Sequence, residues 1–134
     1  MLISVTRLRI RSLRYLPMFI IYSLFSSRQA RLALGNCGSD YLRDANNTFW
    51  TKTAWSDEKS LHSFVMGGMH RRAMPKLLDW CDEAATVHWT QESPQLPDWQ
   101  EAHRRLISEG RRSKVRHPSP AHLVFEIAEP KVPH

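Results

Sequence analysis

Cysteine is scarce in this sequence. Its 134 residues include two, Cys37 and Cys81, and their separation is nothing like a C-x-x-C spacing. The seven histidines are scattered and show no metal-ligand pattern that would complete a site with them. Zinc and iron–sulfur centres are therefore not indicated, and reduced cysteines in a cytoplasmic protein explain the pair more simply than a disulfide does.

Long apolar runs are also missing. The most apolar stretch, residues 16–25, is well short of the roughly 20 residues that span a bilayer. It follows basic residues, as the apolar part of a secretion signal would, but residues 26–31 contain no convincing small-x-small cleavage site. We expect a folded cytoplasmic domain with no membrane span, and export is the alternative.

Acidic residues are absent before Asp40, although the whole chain carries a formal charge of +6. The basic residues form an N-terminal cluster and a second cluster over residues 104–116. Neither cluster is interleaved with the aromatic residues that a stacking groove for nucleic acid needs. Solvated faces are favoured over binding to nucleic acid or a membrane surface, which would weaken steeply as salt rises.

No complete catalytic motif is present. Gly67-Gly68 lacks the spacing of a phosphate-binding loop, and the neighbouring Asp57, Ser60 and His62 have no nucleophile-elbow context. Three further acids are predicted to lie on the exposed face of a helix: Asp79, Asp82 and Glu83.

The chain alternates strand and helix patterns. β-Branched, aliphatic and aromatic residues predict strands over 2–10 and 48–55, the second paired with 38–44 across a turn at 45–47. Between the first two strands a helix is predicted from Pro17 to a stop at Gly35. Its apolar stripe comprises Leu16, Phe19, Ile20, Leu24, Ala30 and Leu34.

The second half of the pattern repeats the first. Asp57 is a good N-cap for a helix that begins at Glu58. A further helical segment is predicted from Pro75 to Glu83. Residues 85–90 again have the composition of a strand. The order β-α-β-β-α-β predicts an α+β, ferredoxin-like fold with an antiparallel sheet.

The C-terminal third has a different character. We assign residues 1–92 to the ferredoxin-like core and residues 93–134 to an extra C-terminal helix and extended arm packed on the same domain. The helix is predicted over 98–109, and a late strand over 123–127.

His70 is the best single candidate for a functional side chain. If one helix ran unbroken from Glu58, His70 would point away from the core. A break at Gly67-Gly68 would instead start a new stripe of His70, Met74, Leu77, Leu78 and Cys81, since each interior glycine costs a helix about 1 kcal/mol. His70 would then face an apolar cavity, where it could act as a general base or an iron ligand. The alternative is a structural histidine, hydrogen-bonded in the core or at a dimer contact.

Two tryptophans flank the most characteristic strand. Because side chains alternate along a strand, Trp50 and Trp55 are predicted on opposite faces of the sheet, and only one of them lines any single cavity.

A longer motif carries a family resemblance. It consists of Phe49-Trp50-Thr51-x-Thr53-x-Trp55, Leu61-x-x-Phe64, Gly68-Met69-His70-Arg71-Arg72-Ala73-Met74, Trp80-Cys81-Asp82-Glu83-Ala84 and Val87-His88-Trp89. This motif resembles the dimeric α+β barrel superfamily. The nearest branch is similar to poorly characterised bacterial proteins related to spheroidene monooxygenase and antibiotic-biosynthesis-type monooxygenases.

The resemblance implies a homodimer in which two sheets pack to close a barrel. It also implies a pocket between sheet and helices for a small or medium hydrophobic molecule, lined by Trp50, Trp55, Phe64 and Met69. His70 would be the catalytic residue and, only if haem is bound, the metal ligand; the cofactor is either none or haem.

Two functions remain open from the sequence. One is a monooxygenase-like oxidoreductase, and the other is a non-enzymatic dimeric module that binds a ligand or a partner.

Overall fold

The computed structural model describes residues 1–131, apart from the side chain of Met69. Its strands are β1 (Leu2–Ile10), β2 (Asn36–Asp44), β3 (Thr48–Trp55), β4 (Cys81–Thr90) and β5 (Arg111–Arg112). Its α-helices are α1 (Leu16–Leu32), α2 (Glu58–Val65), α3 (Gly68–Trp80), α4 (Trp99–Glu109) and α5 (Pro120–Leu123). Residues 132–134 of the predicted C-terminal arm lie outside the described residues.

The strands form one antiparallel sheet in the order β2-β3-β1-β4-β5. β1 is central and pairs along most of its length with both β3 and β4. Together with the helical segments after β1 and β3, this topology confirms the predicted ferredoxin-like α+β fold. Among residues 1–131, no helix is long and apolar enough to cross a membrane.

Both faces of the sheet are buried. On one face, Ile10 packs with Leu16 and Phe19 of the first helical segment, and Leu2 and Trp55 pack with Leu61 of α2. The opposite face is covered by α4. Its core contains Ile3, Val5, Trp50, Ala54, Ala85, Val87, Trp99, Ala102 and Leu106. Trp50 and Trp55 therefore lie on opposite faces, as the alternation of β3 predicts.

The predicted turn at 45–47 is confirmed. Asn46 and Asn47 have φ angles of 60° and 58°, the left-handed conformation that a tight hairpin turn needs and that asparagine tolerates. This turn fixes the register of β2 against β3.

The predicted second helix is wrong at both ends. α3 begins at Gly68 and ends at Trp80, with Pro75 in its interior on an exposed position. Cys81 opens β4, so Asp82 and Glu83 are strand residues and not an exposed helical face. Pairing with β1, through a register shift between Arg9 and Ile10, overrides the helical propensity of this stretch.

Two apolar assignments are corrected as well. Leu24 and Leu34 of the predicted α1 stripe are 67% and 93% exposed, because α1 buries only Leu16, Phe19 and Ala30 and ends at Leu32, before Leu34. In the α3 stripe Met74 is 44% exposed.

The late strand predicted over 123–127 does not form. Ser119 caps a short helix instead, because its side chain accepts a hydrogen bond from the His122 backbone and Pro120 suits the first helical position. The fifth strand comes from Arg111–Arg112, which adds to the edge of β4.

Gly35 is expected to be irreplaceable at the end of α1. Its φ is +89°, and an added Cβ would meet the Ser60 hydroxyl. Gly35→Ala should lower the free energy of unfolding by about 1–3 kcal/mol, measured by urea denaturation. Gly38→Ala is the matched control, since a Cβ there meets only Leu96 at ordinary contact distance. Equal midpoints for the two variants would contradict this assignment.

Candidate functional site

His70 lies in the first turn of α3, just after a break in the helical segment. α2 ends at Val65, and Gly68 restarts the chain as a helix with a φ of +53°. The predicted break at Gly67-Gly68 is thus confirmed, and it places His70 back over the end of α2 instead of continuing its turn.

The Gln29 side chain of α1 forms hydrogen bonds with the backbone on both sides of this break. Its amide nitrogen donates to the backbone oxygens of Phe64, at 3.1 Å, and Gly67, at 2.8 Å. Its amide oxygen accepts a hydrogen bond from the His70 backbone N–H at 3.0 Å. The Gln29 side chain thereby links α1 to the backbone at the junction of α2 and α3, and it provides the acceptor for an N–H in the first turn of α3.

His70 belongs to an aromatic stack. The Phe64 ring lies between Trp55 and His70, with its centroid 5.2 Å from the Trp55 ring and 4.7 Å from the imidazole. Trp55 is fully buried and its indole N–H donates to Thr53 at 2.8 Å. The stack therefore runs from the sheet to the surface, where His70 is half-buried.

The orientation of the imidazole is set by the backbone. His70 Nδ1 lies 3.2 Å from the Val65 carbonyl oxygen, and that contact is a hydrogen bond only when Nδ1 carries the proton. Nε2 is then the basic nitrogen. Burial lowers the pKa of His70, although the hydrogen bond to Val65 opposes the shift. A neutral imidazole with its basic Nε2 held in place can accept a proton or ligate a metal.

The structure brings two of the predicted pocket residues together with the predicted catalytic His70 and separates a third pocket residue from them. Trp55, Phe64 and His70 are neighbours. Trp50 lies across the sheet, where its indole N–H donates to Asp44 at 3.0 Å and its ring meets Trp99 edge-on. Met69 occupies α3 next to His70, and its side chain lies outside the described residues.

A second polar centre escaped the sequence analysis. Arg7 and Glu83 form an ion pair at 2.7 Å, with each side chain only 6% exposed. Arg9 and Ser119 donate to the other oxygen of Glu83 at 2.9 and 2.7 Å. The alternation Ile3, Val5, Arg7 along β1 was the available signal, since it places an arginine on a core-facing position.

This centre borders a cavity of about 300 Å³ on the α4 side of the sheet. The wall is formed by β1, the β2–β3 turn and the C-terminal segment, with Arg7, Arg9, Asn46 and Thr48 among its lining residues. Burial alone would raise the pKa of Glu83, but hydrogen bonds from Arg7 and Ser119 outweigh it and lower that pKa.

A haem iron could use His70 as a single protein ligand. Within the part of the chain that the structure describes, no three histidine, cysteine or acidic side chains lie close enough together to hold an ion. The Nδ1 contact to Val65 is the outer-shell arrangement usual for a ligating histidine, so the donor chemistry of His70 fits a haem iron.

Three solved structures share this architecture. A candidate antibiotic biosynthesis monooxygenase from Nitrosomonas europaea is 16% identical and superposes with a TM-score of 0.61 over 69% of this chain and 100% of its own. SnoaB from Streptomyces nogalater, a cofactor-independent oxygenase, is 13% identical, with a TM-score of 0.56 over 70% and 97%. A conserved protein from Methanosarcina mazei Go1 is 13% identical, with a TM-score of 0.60 over 68% and 92%.

These likenesses define a class of fold, the ferredoxin-like α+β protomer of the antibiotic biosynthesis monooxygenases. More particularly, residues 29–115 match the family described as a domain of unknown function, DUF3291. The match covers more than half of the chain, from the end of α1 past β5, and the chain belongs to this family. A search of curated proteins found no match.

The lowered pKa of His70 makes stability depend on pH. The unfolded chain binds a proton near the ordinary value of 6.5 and the folded chain binds it less readily, so stability falls as pH drops through that value. Wild-type protein should be less stable at about pH 5.5 than at about pH 7.5, and His70→Gln should reduce the difference. Urea denaturation at both pH values measures it.

His62→Gln, on an exposed position of α2, is the control and should leave the pH dependence as in wild type. A pH dependence that is unchanged in His70→Gln would show that burial of this imidazole does not bias its protonation.

Proposed function

We propose that this protein binds a small or medium hydrophobic molecule between the sheet and the α1–α3 helices, and oxidises it with molecular oxygen in a monooxygenase-like reaction. One observation carries the proposal: His70 stands at the end of a buried aromatic stack with Nδ1 anchored on the Val65 carbonyl and Nε2 left as a base. Its position next to apolar rings suits a substrate that is itself apolar.

The chemistry assigned to His70 is proton abstraction. Nε2 accepts a proton from an acidic C–H or O–H of the substrate, and the resulting electron-rich anion reacts with oxygen without a redox cofactor. For a methylene carbon the balance is CH₂ plus O₂ giving C=O plus H₂O. The proton held on Nε2 leaves with the departing water, which restores the neutral base.

The fold supports this chemistry. SnoaB, which shares the architecture, is a cofactor-independent oxygenase, so an α+β protomer of this kind can host oxidation by side chains alone. The half-buried site also keeps the imidazole neutral, as its lowered pKa indicates, and a neutral imidazole is the form that abstracts a proton.

Haem is the alternative to a cofactor-free reaction. When bound, haem would supply iron for oxygen chemistry, and His70 Nε2 would be its protein ligand. The chain's own contribution would be to orient the imidazole through Val65 and to surround it with the Phe64 and Trp55 rings.

Anthrone is a suitable probe, because it is a flat apolar molecule with an acidic methylene group. Purified protein should accelerate oxygen uptake by anthrone, and His70→Ala should lower the rate by about 100-fold or more, the usual contribution of a general base. His62→Gln is the matched histidine control. An absorbance spectrum recorded before and after haem titration tests the haem outcome through a Soret band that His70→Ala abolishes.

Protein that binds neither haem nor an apolar probe would contradict the proposal. So would oxygen uptake that is the same in wild type and His70→Ala.

We also propose that the chain forms a homodimer, which would serve an enzyme or a non-enzymatic binding module equally. α4 already covers the sheet face opposite α1–α3, with Ala102 and Leu106 fully buried, so a sheet-to-sheet contact would require α4 to move.

An exposed apolar surface remains on α1, where Met18, Ile21, Leu24 and Phe25 are 47%, 46%, 67% and 52% exposed. Contiguous apolar surface of this kind often marks an interface.

Light scattering during gel filtration should give the mass of two 15.6 kDa chains. Phe25→Glu should shift the protein to a single chain, because a carboxylate would be buried without a partner. Gln100→Glu, on an exposed position of α4 across the sheet from α1, is the charge control and should remain dimeric. A wild-type mass of one chain would contradict the homodimer.

A further inference from the structure

The sheet face beneath the α1–α3 helices carries a polar band across its middle. Two rows of side chains cross β3, β1 and β4 in register there, and every member except one is a serine or threonine. The rows are Thr53, Ser4 and His88, and Thr51, Thr6 and Thr86. Trp55 of the aromatic stack lies on the same face, two residues beyond Thr53, and its indole N–H donates to the Thr53 hydroxyl. The band therefore adjoins the stack that ends in His70.

α1 passes over this band with serines on its half-buried side. Its first turns pack through Leu16 and Phe19 on the cluster that contains Ile10, and the residue after its last turn packs on the cluster that contains Trp55. Between these two ends the half-buried positions include Ser23, Ser26 and Ser27. Helix and sheet thus both present hydroxyl groups at a level where apolar side chains usually fill a core.

The band opens on a cleft. β1 is flanked by β3 and β4, yet Thr6 in the middle of β1 is only half-buried. Ser4 is 8% exposed, and its hydroxyl has no hydrogen-bond partner among the described residues. The fully enclosed polar side-chain atoms without a partner are Arg7 Nε and Asp82 Oδ1. The Ser4 oxygen is not one of them, so it keeps accessible surface towards the cleft.

Most hydroxyls of the band have hydrogen-bonding capacity to spare. Thr53 accepts from Trp55 at 2.8 Å, and Thr86 donates to the Val5 carbonyl at 3.1 Å. Within the described part of the chain, no hydrogen bond engages the hydroxyls of Ser4, Ser23, Ser26, Ser27 and Thr51. A hydroxyl can donate and accept, and a polar group in a mostly buried place is costly to leave without a partner.

The band is also uncharged. Its two rows contain no lysine, arginine or carboxylate, and Arg111 extends one of them only at the exposed edge of the sheet. Burial and the positive charge of Arg111 lower the pKa of His88, although Glu58 opposes the shift. The imidazole of His88 is therefore neutral at pH 7, and the band offers hydrogen bonds without a counter-charge for an ion.

We propose that this hydroxyl band determines the specificity of the site between the sheet and the α1–α3 helices, by hydrogen-bonding two or more hydroxyl or carbonyl oxygens on the apolar skeleton of a neutral substrate. The inference rests on the proposed function for the place of the ligand. A plain hydrocarbon is disfavoured, because it would displace water from Ser4, Thr51 and the α1 serines and leave them without partners.

Naphthoresorcinol, a diol of naphthalene, and naphthalene itself are the probes, since they share a skeleton and differ in two hydroxyls. Equilibrium dialysis measures both dissociation constants. The double variant Ser4→Ala/Thr51→Val should bind the diol about tenfold or more weakly than wild type does, because it lacks two hydrogen-bonding groups of nearly unchanged size. Its affinity for naphthalene should stay as in wild type.

Thr48→Val is the matched control. Thr48 belongs to the same strand as Thr51, but it shares the opposite, α4-covered face with Trp50, so the variant should bind the diol as wild type does. Ser23→Ala/Ser27→Ala on α1 decides the matter if the sheet variant fails to fold, because alanine favours a helix. This variant should also weaken diol binding and spare naphthalene.

Wild-type protein that does not bind the diol would overturn the inference. Equal diol affinity in wild type and the band variants, or a parallel loss of naphthalene binding, would overturn it too. The proposed oxidation fails separately. A diol preference that the band variants abolish, with oxygen uptake equal in wild type and His70→Ala, would contradict the oxidation and support the band.

Discussion

The buried pair of Arg7 and Glu83 joins the central strand to its neighbour on the side where the C-terminal segment packs. Removing one partner of such a pair typically costs about 3–5 kcal/mol, since the other charge stays buried alone. Glu83 also accepts from Ser119, which caps α5. The position of residues 119–131 against the sheet therefore depends on a charge in β4, and so does the shape of the cavity beside it.

The central strand separates the molecule into two chemical environments. One face of the sheet carries the aromatic stack that ends in His70, and the other carries the guanidinium of Arg7 over Trp50. β1 contributes to both, because neighbouring residues of a strand point to opposite faces. A substitution on one face can therefore leave the packing of the other face intact.

The break between α2 and α3 shows how a third helix sets the geometry of a site. Two glycines allow the backbone to turn, but the Gln29 amide determines the result by pairing with Phe64, Gly67 and His70. The imidazole then reaches the Val65 carbonyl. Its orientation is fixed before any ligand arrives, and preorganisation of this kind lowers the cost of binding.

Local patterns were sufficient for most of the fold. The strands β1 and β3, the Asn46-Asn47 turn, the Asp57 cap and the glycine break all follow from propensity, periodicity and turn chemistry that act within a few residues. Where local signals conflicted with tertiary pairing, the prediction was wrong. Residues 81–83 have the composition of a helix, yet pairing with β1 draws them into a strand.

The sequence by itself therefore determined the order of elements from β1 to α4, the two faces of β3 and the candidacy of His70. Only the tertiary structure decided that Glu83 pairs with Arg7, 76 residues away in the chain. It also decided that Gln29 hydrogen-bonds to the backbone between α2 and α3, and that a cavity lies beside Arg7. The reason is physical: backbone conformation depends mainly on near neighbours, whereas ion pairs, side-chain staples and cavities depend on which distant segments the packed sheet brings together.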